Sequence, residues 1–216
     1  MTSLRIIVGD DHPLVQAALS SALCQILPHA KVEAATTVDE ILALLFTAAG
    51  EVDLVLLDLH MPGNSGFTGL FLLQTEFPTV PVAILSAEHD PRTIRRAISY
   101  GALGYIPKSL SLDEMGAAII SILGGEIWTP AGALEPSGAD GDVDLARRFS
   151  SLTAQQLRIL TRIVEGKLNK QIADDLKIAE QTVKVHVSTI LRKLNVLTRT
   201  QAAILAERLI ERHHRT

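Results

Sequence analysis

Residues 54–58 read Leu-Val-Leu-Leu-Asp, an apolar run that ends in an acid, and residues 4–11 read Leu-Arg-Ile-Ile-Val-Gly-Asp-Asp, a second run of the same kind. If both runs are parallel strands of one sheet, their carboxyl ends bring Asp10, Asp11 and Asp58 to one rim. Three carboxylates at one place repel each other, and a bound cation or a raised pKa relieves that repulsion. The pattern therefore predicts an acidic site at the rim of a parallel sheet.

Two further apolar runs end in polar residues of another kind. Residues 82–85 lead to the hydroxyl of Ser86, and residues 105–107 lead to the ammonium of Lys108. Carboxylates hold a hard divalent cation such as Mg2+, one carboxylate can act as a nucleophile, and a hydroxyl and an ammonium can hold anionic oxygens. Phosphoryl transfer to an aspartate needs these groups, so the four strand ends indicate a switch operated by phosphorylation.

Strand and helix signals alternate from Leu4 to about Gly124, which predicts an α/β domain with a five-stranded, parallel, doubly wound sheet. Asp90 before Pro91 is a strong helix start, and Pro107 should place the fifth strand at an edge or end it there. The predicted strands are residues 4–8, 31–35, 53–57, 82–85 and 103–106, and the predicted helices start near Pro13, Val38, Gly66, Pro91 and Leu112.

The alternation stops between Gly124 and Phe149. Residues 136–142 read Pro-Ser-Gly-Ala-Asp-Gly-Asp, which is polar and rich in residues that break helices. We therefore predict a linker there.

From Ser150 the pattern becomes helical. Thr153 and Thr198 each precede a glutamine by three residues, which is the spacing of a capping box. Asn169 is expected to cap a short helix of residues 170–176, and after a turn at residues 177–179 a longer helix should run to about Leu194. Four helices with a short turn between the second and third predict a small all-α helix-turn-helix domain.

The net charge of −4 hides a division along the chain. Residues 1–145 hold six Lys/Arg against eighteen Asp/Glu, a net charge of −12, whereas residues 146–216 hold fourteen against six, a net charge of +8. An acidic first part joined to a basic second part indicates two domains, of which only the second suits a polyanion. A basic face that is merely solvated is the alternative, and charge alone leaves it open.

Composition narrows the class of protein. An apolar share of 47% with 20% charged residues is typical of a soluble globular protein. No apolar run approaches the ~20 residues that span a bilayer, and the first residues lack the pattern of a signal peptide, so we expect a cytosolic protein without a membrane partner. Cys24 is the only cysteine, which excludes an intramolecular disulfide, and its helical pattern predicts a small core residue.

These motifs make the first part of the chain resemble the receiver domain of two-component response regulators, and the last part resemble the LuxR-type helix-turn-helix output domain. Together the two cover nearly everything except the linker, so the chain resembles a response regulator of the NarL/FixJ subfamily. The resemblance implies a flavodoxin-like receiver of residues 1–125, a linker of residues 126–149 and a DNA-binding domain of residues 150–216.

The resemblance also implies roles for residues of the receiver. Asp58, followed by His60-Met61-Pro62-Gly63, matches the phospho-accepting aspartate. The implied Mg2+ ligands are Asp10, Asp11, Asp58 and the backbone carbonyl of His60. The implied switch and phosphoryl-binding residues are Ser86, Ala87, Tyr105 and Lys108. Ser109 departs from the pattern, because many receivers have proline after the lysine. Taken singly, Asp11 can be only a helix cap and Tyr105 only a packing residue.

The third helix of the output domain divides into two faces. Apolar residues recur at helical spacing and should face the core, namely Val183, Val187, Ile190, Leu191 and Leu194. By resemblance, Lys184, Val185 and Ser188 occupy base-reading positions on the outer face, where a recognition helix meets the major groove. The remaining predicted DNA-binding residues are Asn169, Lys170, Thr182, His186, Arg192 and Lys193. For Thr182, His186 and Lys193 we expect contacts to phosphates, while simple solvation stays the alternative for Arg192 and Lys193.

Two further features of this domain follow from the resemblance. Ala179 stands where the family usually has a capping serine, so the recognition helix should start with a deficit of roughly 1 kcal/mol. The last helix carries more apolar residues than a small core needs, and in the family this helix pairs two output domains on DNA. We therefore expect a homodimer on double-stranded DNA.

The sequence thus predicts a transcriptional regulator, not an enzyme, whose binding to DNA depends on phosphorylation of Asp58 by a sensor histidine kinase. A phosphatase with an aspartyl-phosphate intermediate is a rival, although His60 stands where such enzymes need an acid. An output domain that binds RNA or RNA polymerase is a second rival. A receiver that acts without phosphorylation is a third.

Overall fold

The computed structural model describes residues 4–49, 51–62, 64, 66–133 and 140–210. Five parallel strands form one sheet in the order β2-β1-β3-β4-β5. The strands are β1 (Arg5–Gly9), β2 (Lys31–Ala35), β3 (Leu54–Asp58), β4 (Val82–Ser86) and β5 (Gly104–Pro107). Each lies within one residue of its predicted bounds, and Pro107 does end an edge strand. The predicted α/β sheet is confirmed.

Five helices connect and follow these strands. They are α1 (Pro13–Ile26), α2 (Val38–Thr47), α3 (Thr68–Glu76), α4 (Pro91–Ser99) and α5 (Leu112–Leu123). Four of them start at the predicted residue, and the Asp90 carboxylate accepts a hydrogen bond from the backbone N–H of Thr93, as expected of a cap. Helix α3 begins two residues later than predicted, because Gly66 has a left-handed φ of 56° and lies outside the helix.

The sheet is covered on both faces. Helices α1 and α5 pack on one face, against the side chains of Val8 and Leu56, whereas α2, α3 and α4 pack on the other, against Ile7 and Leu57. Successive strand residues point to opposite faces, so a central strand that is buried on both sides must be apolar throughout. All five residues of β3 are buried, which explains the apolar run that precedes Asp58.

The second part of the chain is helical. Its helices are α6 (Asp140–Ser150), α7 (Ala154–Val164), α8 (Asn169–Leu176), α9 (Glu180–Leu194) and α10 (Arg199–Ile210). Both predicted capping boxes form, at Thr153 with Gln156 and at Thr198 with Gln201. Lys177 takes a left-handed φ of 53° in the predicted turn between α8 and α9. Helices α7 to α10 therefore confirm the four-helix prediction.

The two halves are in contact. Helix α7 packs on α3, and α6 packs on α3 and α4. Arg158 of α7 lies 3.4 Å from the carboxylate of Glu76 at the end of α3. Among the described residues, no helix is both long and apolar enough to cross a bilayer.

Two sequence predictions about single residues were wrong. Cys24 is exposed. The buried stripe of α1 includes Leu23, and the next residue lies about 100° further around the helix, on its outer side. Asn169 is the first residue of α8 and does not cap it; Leu168 holds the cap position, and its backbone N–H donates to Gln171 Oε1 at 2.8 Å.

The linker prediction missed a helix. Helix α6 begins at Asp140, inside the predicted linker of residues 126–149. Residues 136–139 of the segment rich in helix breakers lie outside the described residues. The proposed domain bounds stay a prediction.

Candidate functional site

Three strand ends bring two acids and a lysine together, as the sequence predicted. Asp58 is the last residue of β3 and is 2% exposed, while Asp10 follows β1 and is fully buried. Lys108 follows β5, and its Nζ lies 2.7 Å from Asp10 Oδ2 and 2.8 Å from Asp58 Oδ2. Its backbone N–H donates to the carbonyl of Ser86 at 2.7 Å, so the loop after β5 is held against the end of β4. A buried, charge-paired cluster results.

The charges of this cluster do not balance. Burial opposes the Lys108 ammonium, but hydrogen bonds to Asp10 and Asp58 outweigh burial and raise the pKa of Lys108. The lysine therefore stays charged near neutral pH. One ammonium faces two buried carboxylates, and Asp11 adds a third acid at the rim, so the site favours a further cation.

The donor atoms of the site suit Mg2+. Possible ligand atoms of Asp10, Asp11, His12 and Asp58 all lie within 4.8 Å of one another. Mg2+ prefers oxygen, so the three carboxylates fit it and the imidazole of His12 does not. The His12 Nδ1 instead lies 2.8 Å from Asp11 Oδ1 and 3.2 Å from Asp10 Oδ1. His12 was not among the predicted site residues, and the metal role of the His60 carbonyl stays a prediction.

The loop after β3 is tied to Asp58 by hydrogen bonds. The backbone N–H of His60 donates to Asp58 Oδ1 at 3.2 Å, and Asn64 Nδ2 donates to the Asp58 carbonyl at 2.8 Å. Asn64 Oδ1 in turn accepts from the N–H of Gly69 at 2.8 Å, which connects the loop to α3. Asn64 was not among the predicted site residues. Its position six residues after Asp58, directly after Gly63, was the available signal.

The imidazole of His60 spans from this loop to the loop after β4. Its Nε2 lies 2.7 Å from Glu88 Oε1, and this hydrogen bond raises the pKa of His60. Glu88 was also missed, because nothing in the sequence shows that residues 28 positions apart meet.

The predicted switch residues lie beside the acids. Ser86 is fully buried, and its Oγ accepts from the backbone N–H of Glu88 at 3.2 Å. Ala87 follows it and is exposed. Tyr105 is fully buried, and its hydroxyl donates to the Glu88 carbonyl at 3.2 Å. Burial raises the pKa of Tyr105, so its phenol stays a neutral hydrogen-bond donor.

Helix α9 presents the two predicted faces. Val183, Ile190 and Leu194 are buried, and Val187 and Leu191 are partly buried against the same core. The outward face is exposed at Lys184, Val185, Ser188 and Arg192. Thr182 and Lys170 are also exposed, and His186 is half-buried. The division into faces is confirmed, while the DNA roles stay predictions.

Some predicted DNA-binding side chains are engaged within the domain. Lys193 Nζ donates to the Ser151 carbonyl at 2.5 Å and to Gln156 Oε1 at 2.9 Å. Asn169 Oδ1 accepts from Arg199 Nη1 at 2.9 Å. Lys184 Nζ lies 3.0 Å from Glu180 Oε1 one turn earlier, and both side chains are half exposed. Lys184 thus remains on the open surface, whereas Lys193 holds the start of α7.

Comparisons with known proteins agree with this arrangement. A family model described as the response regulator receiver domain matches residues 6–120, and one described as bacterial regulatory proteins of the luxR family matches residues 150–206. The chain is 41% identical to the glycerol metabolism activator of Pseudomonas putida, over 94% of each chain. It is 33% identical to the nitrate/nitrite response regulator protein NarP of Escherichia coli K12, again over 94% of each. A structure of the RcsB response regulator of Salmonella typhimurium has the same fold, with a TM-score of 0.55 and 19% identity, over 94% of this chain and 98% of that one.

Proposed function

Because this chain belongs to the NarL-type response regulators, which join a receiver domain to a LuxR-type DNA-binding domain, we propose that phosphorylation of Asp58 by a sensor histidine kinase controls its dimerisation and its sequence-specific binding to DNA. The observation that carries the proposal is the setting of Asp58. This acid ends the central strand, is nearly fully buried, and contacts Lys108 beside two further acids.

The acceptor step follows from this setting. A carboxylate oxygen of Asp58 forms a bond to phosphorus while the bond from phosphorus to the imidazole nitrogen of the kinase breaks. Lys108 and Ser86 then donate to oxygens of the transferred group. The Lys108 ammonium stays charged for this role, because its neighbouring carboxylates raise its pKa.

Asp10, Asp11 and Asp58 would hold the divalent cation. With Mg2+ bound, these carboxylates would hold positive charge beside the phosphoryl oxygens, on which negative charge develops during the transfer. The site holds three carboxylates and only one ammonium, that of Lys108, and carboxylate oxygens are the ligands that Mg2+ prefers. Both observations support this assignment.

The output of the switch is binding to double-stranded DNA. Lys184, Val185 and Ser188 form the exposed face of α9, and Lys184 and Ser188 lie one helical turn apart, so both can reach base edges in one major groove. The regulator would act as a homodimer in the cytosol, where the DNA of a bacterium lies. The similarity to the glycerol metabolism activator of Pseudomonas putida makes genes of glycerol metabolism the first targets to test.

The phosphatase rival has less support. An acid is needed two residues after the nucleophile, and that residue is His60, whose imidazole is hydrogen-bonded to Glu88. Against the rival output domain that binds RNA or RNA polymerase, the outward face of Lys184, Val185 and Ser188 favours duplex DNA.

One experiment tests the acceptor and the output together. Incubation with Mg2+ and acetyl phosphate should add one phosphoryl group that hydroxylamine removes, and Asp58→Asn should prevent the addition. A genome-wide map of bound DNA, recorded with wild type and with Asp58→Asn, should then lose its enriched sites in the variant. Undiminished labelling of Asp58→Asn would refute the acceptor, and identical maps would refute control by phosphorylation.

A further inference from the structure

Gln16 lies at the end of the first turn of α1, and its side chain reaches back to the carboxyl ends of two strands. Side chains of a helix lean toward its N-terminus, which brings the amide of Gln16 over the loop between β1 and α1. Its Nε2 donates to the backbone carbonyl of Asp10 at 2.5 Å and to that of Ala35, the last residue of β2, at 2.8 Å. One side chain therefore joins the ends of β1 and β2.

The chemistry of the partners fixes the orientation of this amide. Both partners are carbonyl oxygens, and the NH2 group is the only donor of a glutamine side chain, so the NH2 end must face them. The Ala35 carbonyl also accepts from the backbone N–H of Asp10 at 3.0 Å. Gln16, Asp10 and Ala35 are thus bonded pairwise, and the backbone of Asp10 is held against β2.

The loop that Gln16 holds carries two of the three proposed ligands of the cation. The backbone N–H of His12 donates to Asp10 Oδ1 at 2.8 Å, and the His12 carbonyl accepts from the N–H of Gln16 at 3.1 Å. Residues 10–12 are therefore fixed to the first turn of α1. Repulsion among Asp10, Asp11 and Asp58 would push this loop outward, and the Gln16 bonds oppose that movement.

A loop held in one place matters more for Mg2+ than for Ca2+. Mg2+ requires a nearly ideal octahedron with short bonds of about 2.0–2.1 Å, whereas Ca2+ accepts variable geometry at about 2.3–2.6 Å. Carboxylates on a loose loop can still surround Ca2+. They satisfy the stricter geometry of Mg2+ only if the backbone that carries them is kept in position.

We propose that Gln16 is a positioning residue that fixes the backbone of Asp10 and Asp11, and that it thereby makes the cation site selective for Mg2+ over Ca2+. This inference deepens the proposed function and rests on it. Gln16 acts through the loop and not as a ligand, because its NH2 group is bonded to the Asp10 and Ala35 carbonyls and cannot bind a cation.

Gln16→Met tests the role of these bonds, because methionine has a similar length but no donor. Melting temperatures of the full-length protein are recorded over titrations with Mg2+ and with Ca2+, and each titration gives a Kd. We expect the Kd for Mg2+ to rise roughly 10–100-fold, as is usual when a residue that orients a metal ligand is removed. The Kd for Ca2+ should rise by a smaller factor, so the preference for Mg2+ falls.

Gln25→Met is the matched control, because Gln25 lies on the same helix and is exposed. Its preference for Mg2+ should equal that of the wild type. Gln16→Arg is the rescue variant, since a guanidinium can donate to both carbonyls. The added charge opposes the two divalent cations alike, so the ratio of the two Kd values is compared, and it should lie close to the wild-type ratio. Gln16→Ala, which suits a helix, replaces Gln16→Met if that variant fails to fold.

The ratio of the Kd values separates positioning from a merely structural role. A lower melting temperature of Gln16→Met without cation, combined with an unchanged ratio, would overturn the inference and leave the proposed function intact. A ratio in Gln16→Arg as low as that in Gln16→Met would also overturn it. A wild-type protein that binds neither cation would refute the proposed metal site together with the inference.

Discussion

At the scale of residues, the proposed acceptor site contains two buried carboxylates that share one ammonium. Asp10 and Asp58 each lie within 2.8 Å of Lys108 Nζ, and Asp11 lies at the rim with 31% of its side chain exposed. Removing one acid leaves the lysine paired and takes away a ligand of the proposed cation. The acids can therefore be tested singly.

We expect Mg2+ to raise the thermal stability of the wild type, because a cation that binds only the folded state stabilises it by about 2.7 kcal/mol at a hundred times its Kd. Asp11→Asn should weaken Mg2+ binding and shift this response to higher concentration. Asp39→Asn, an exposed acid on α2, should respond as the wild type does. Melting curves over a Mg2+ titration measure the effect, and identical responses of all three proteins would show that Asp11 is not a ligand of the cation.

Lys184 and Lys193 lie on one helix but are expected to act differently. Lys184→Ala should cost roughly 1–3 kcal/mol on the specific DNA site and relax the preference at one base pair. Lys193→Ala removes bonds to Ser151 and Gln156, so we expect it to lower the melting temperature of the output domain. Binding to specific and scrambled duplexes at two salt concentrations, together with melting curves, separates the two. An equal loss on both duplexes for Lys184→Ala would contradict the base-reading role.

At the scale of elements, the start of the recognition helix lacks a side-chain cap. Ala179 holds the N-cap position with extended φ and ψ of −68° and 142°, and it has no side-chain acceptor for the free N–H groups of the first turn. By contrast, α7 and α10 start with complete capping boxes. The helix proposed to read DNA therefore begins less firmly than α7 and α10.

Ala179→Ser should raise the free energy of unfolding by about 1 kcal/mol, since a serine at an N-cap accepts a hydrogen bond that alanine cannot. Ala179→Val is the control at the same position, because its side chain is larger but has no acceptor. Chemical denaturation of the full-length proteins gives both values. A gain that valine shares would point to packing and not to capping.

At the scale of the whole molecule, α6 contacts both halves. Phe149 is fully buried against the receiver, while Arg148 binds the carbonyl of Leu194 and the carboxylate of Asp144. The proposed output domain begins at Ser150 and so leaves these contacts out. Its fold should nevertheless form alone, because α7 to α10 have their own core.

A fragment of residues 140–216 should melt higher than one of residues 150–216. A net gain of about 1 kcal/mol for the Arg148 hydrogen bond corresponds to roughly 4–8 °C in a domain of this size. Arg148→Ala in the longer fragment should remove most of the difference. Equal melting temperatures of the two fragments would support the boundary at Ser150.

The sequence by itself determined the sheet, its polar rim and the two faces of α9. Burial on both sides makes the central strand apolar as far as Leu57, so the change to Asp58 marks the rim. Helical spacing assigns Lys184 and Ser188 to the outside. Only the tertiary structure decided which side chains meet across the chain. The positions of Asn64 and Glu88 near Asp58, of Lys193 at the start of α7 and of Trp128 beside β5 depend on contacts between distant residues. No local pattern encodes those contacts. Cys24 was misassigned for the same reason, because helical periodicity shows that a buried stripe exists but leaves its edges to the neighbouring elements.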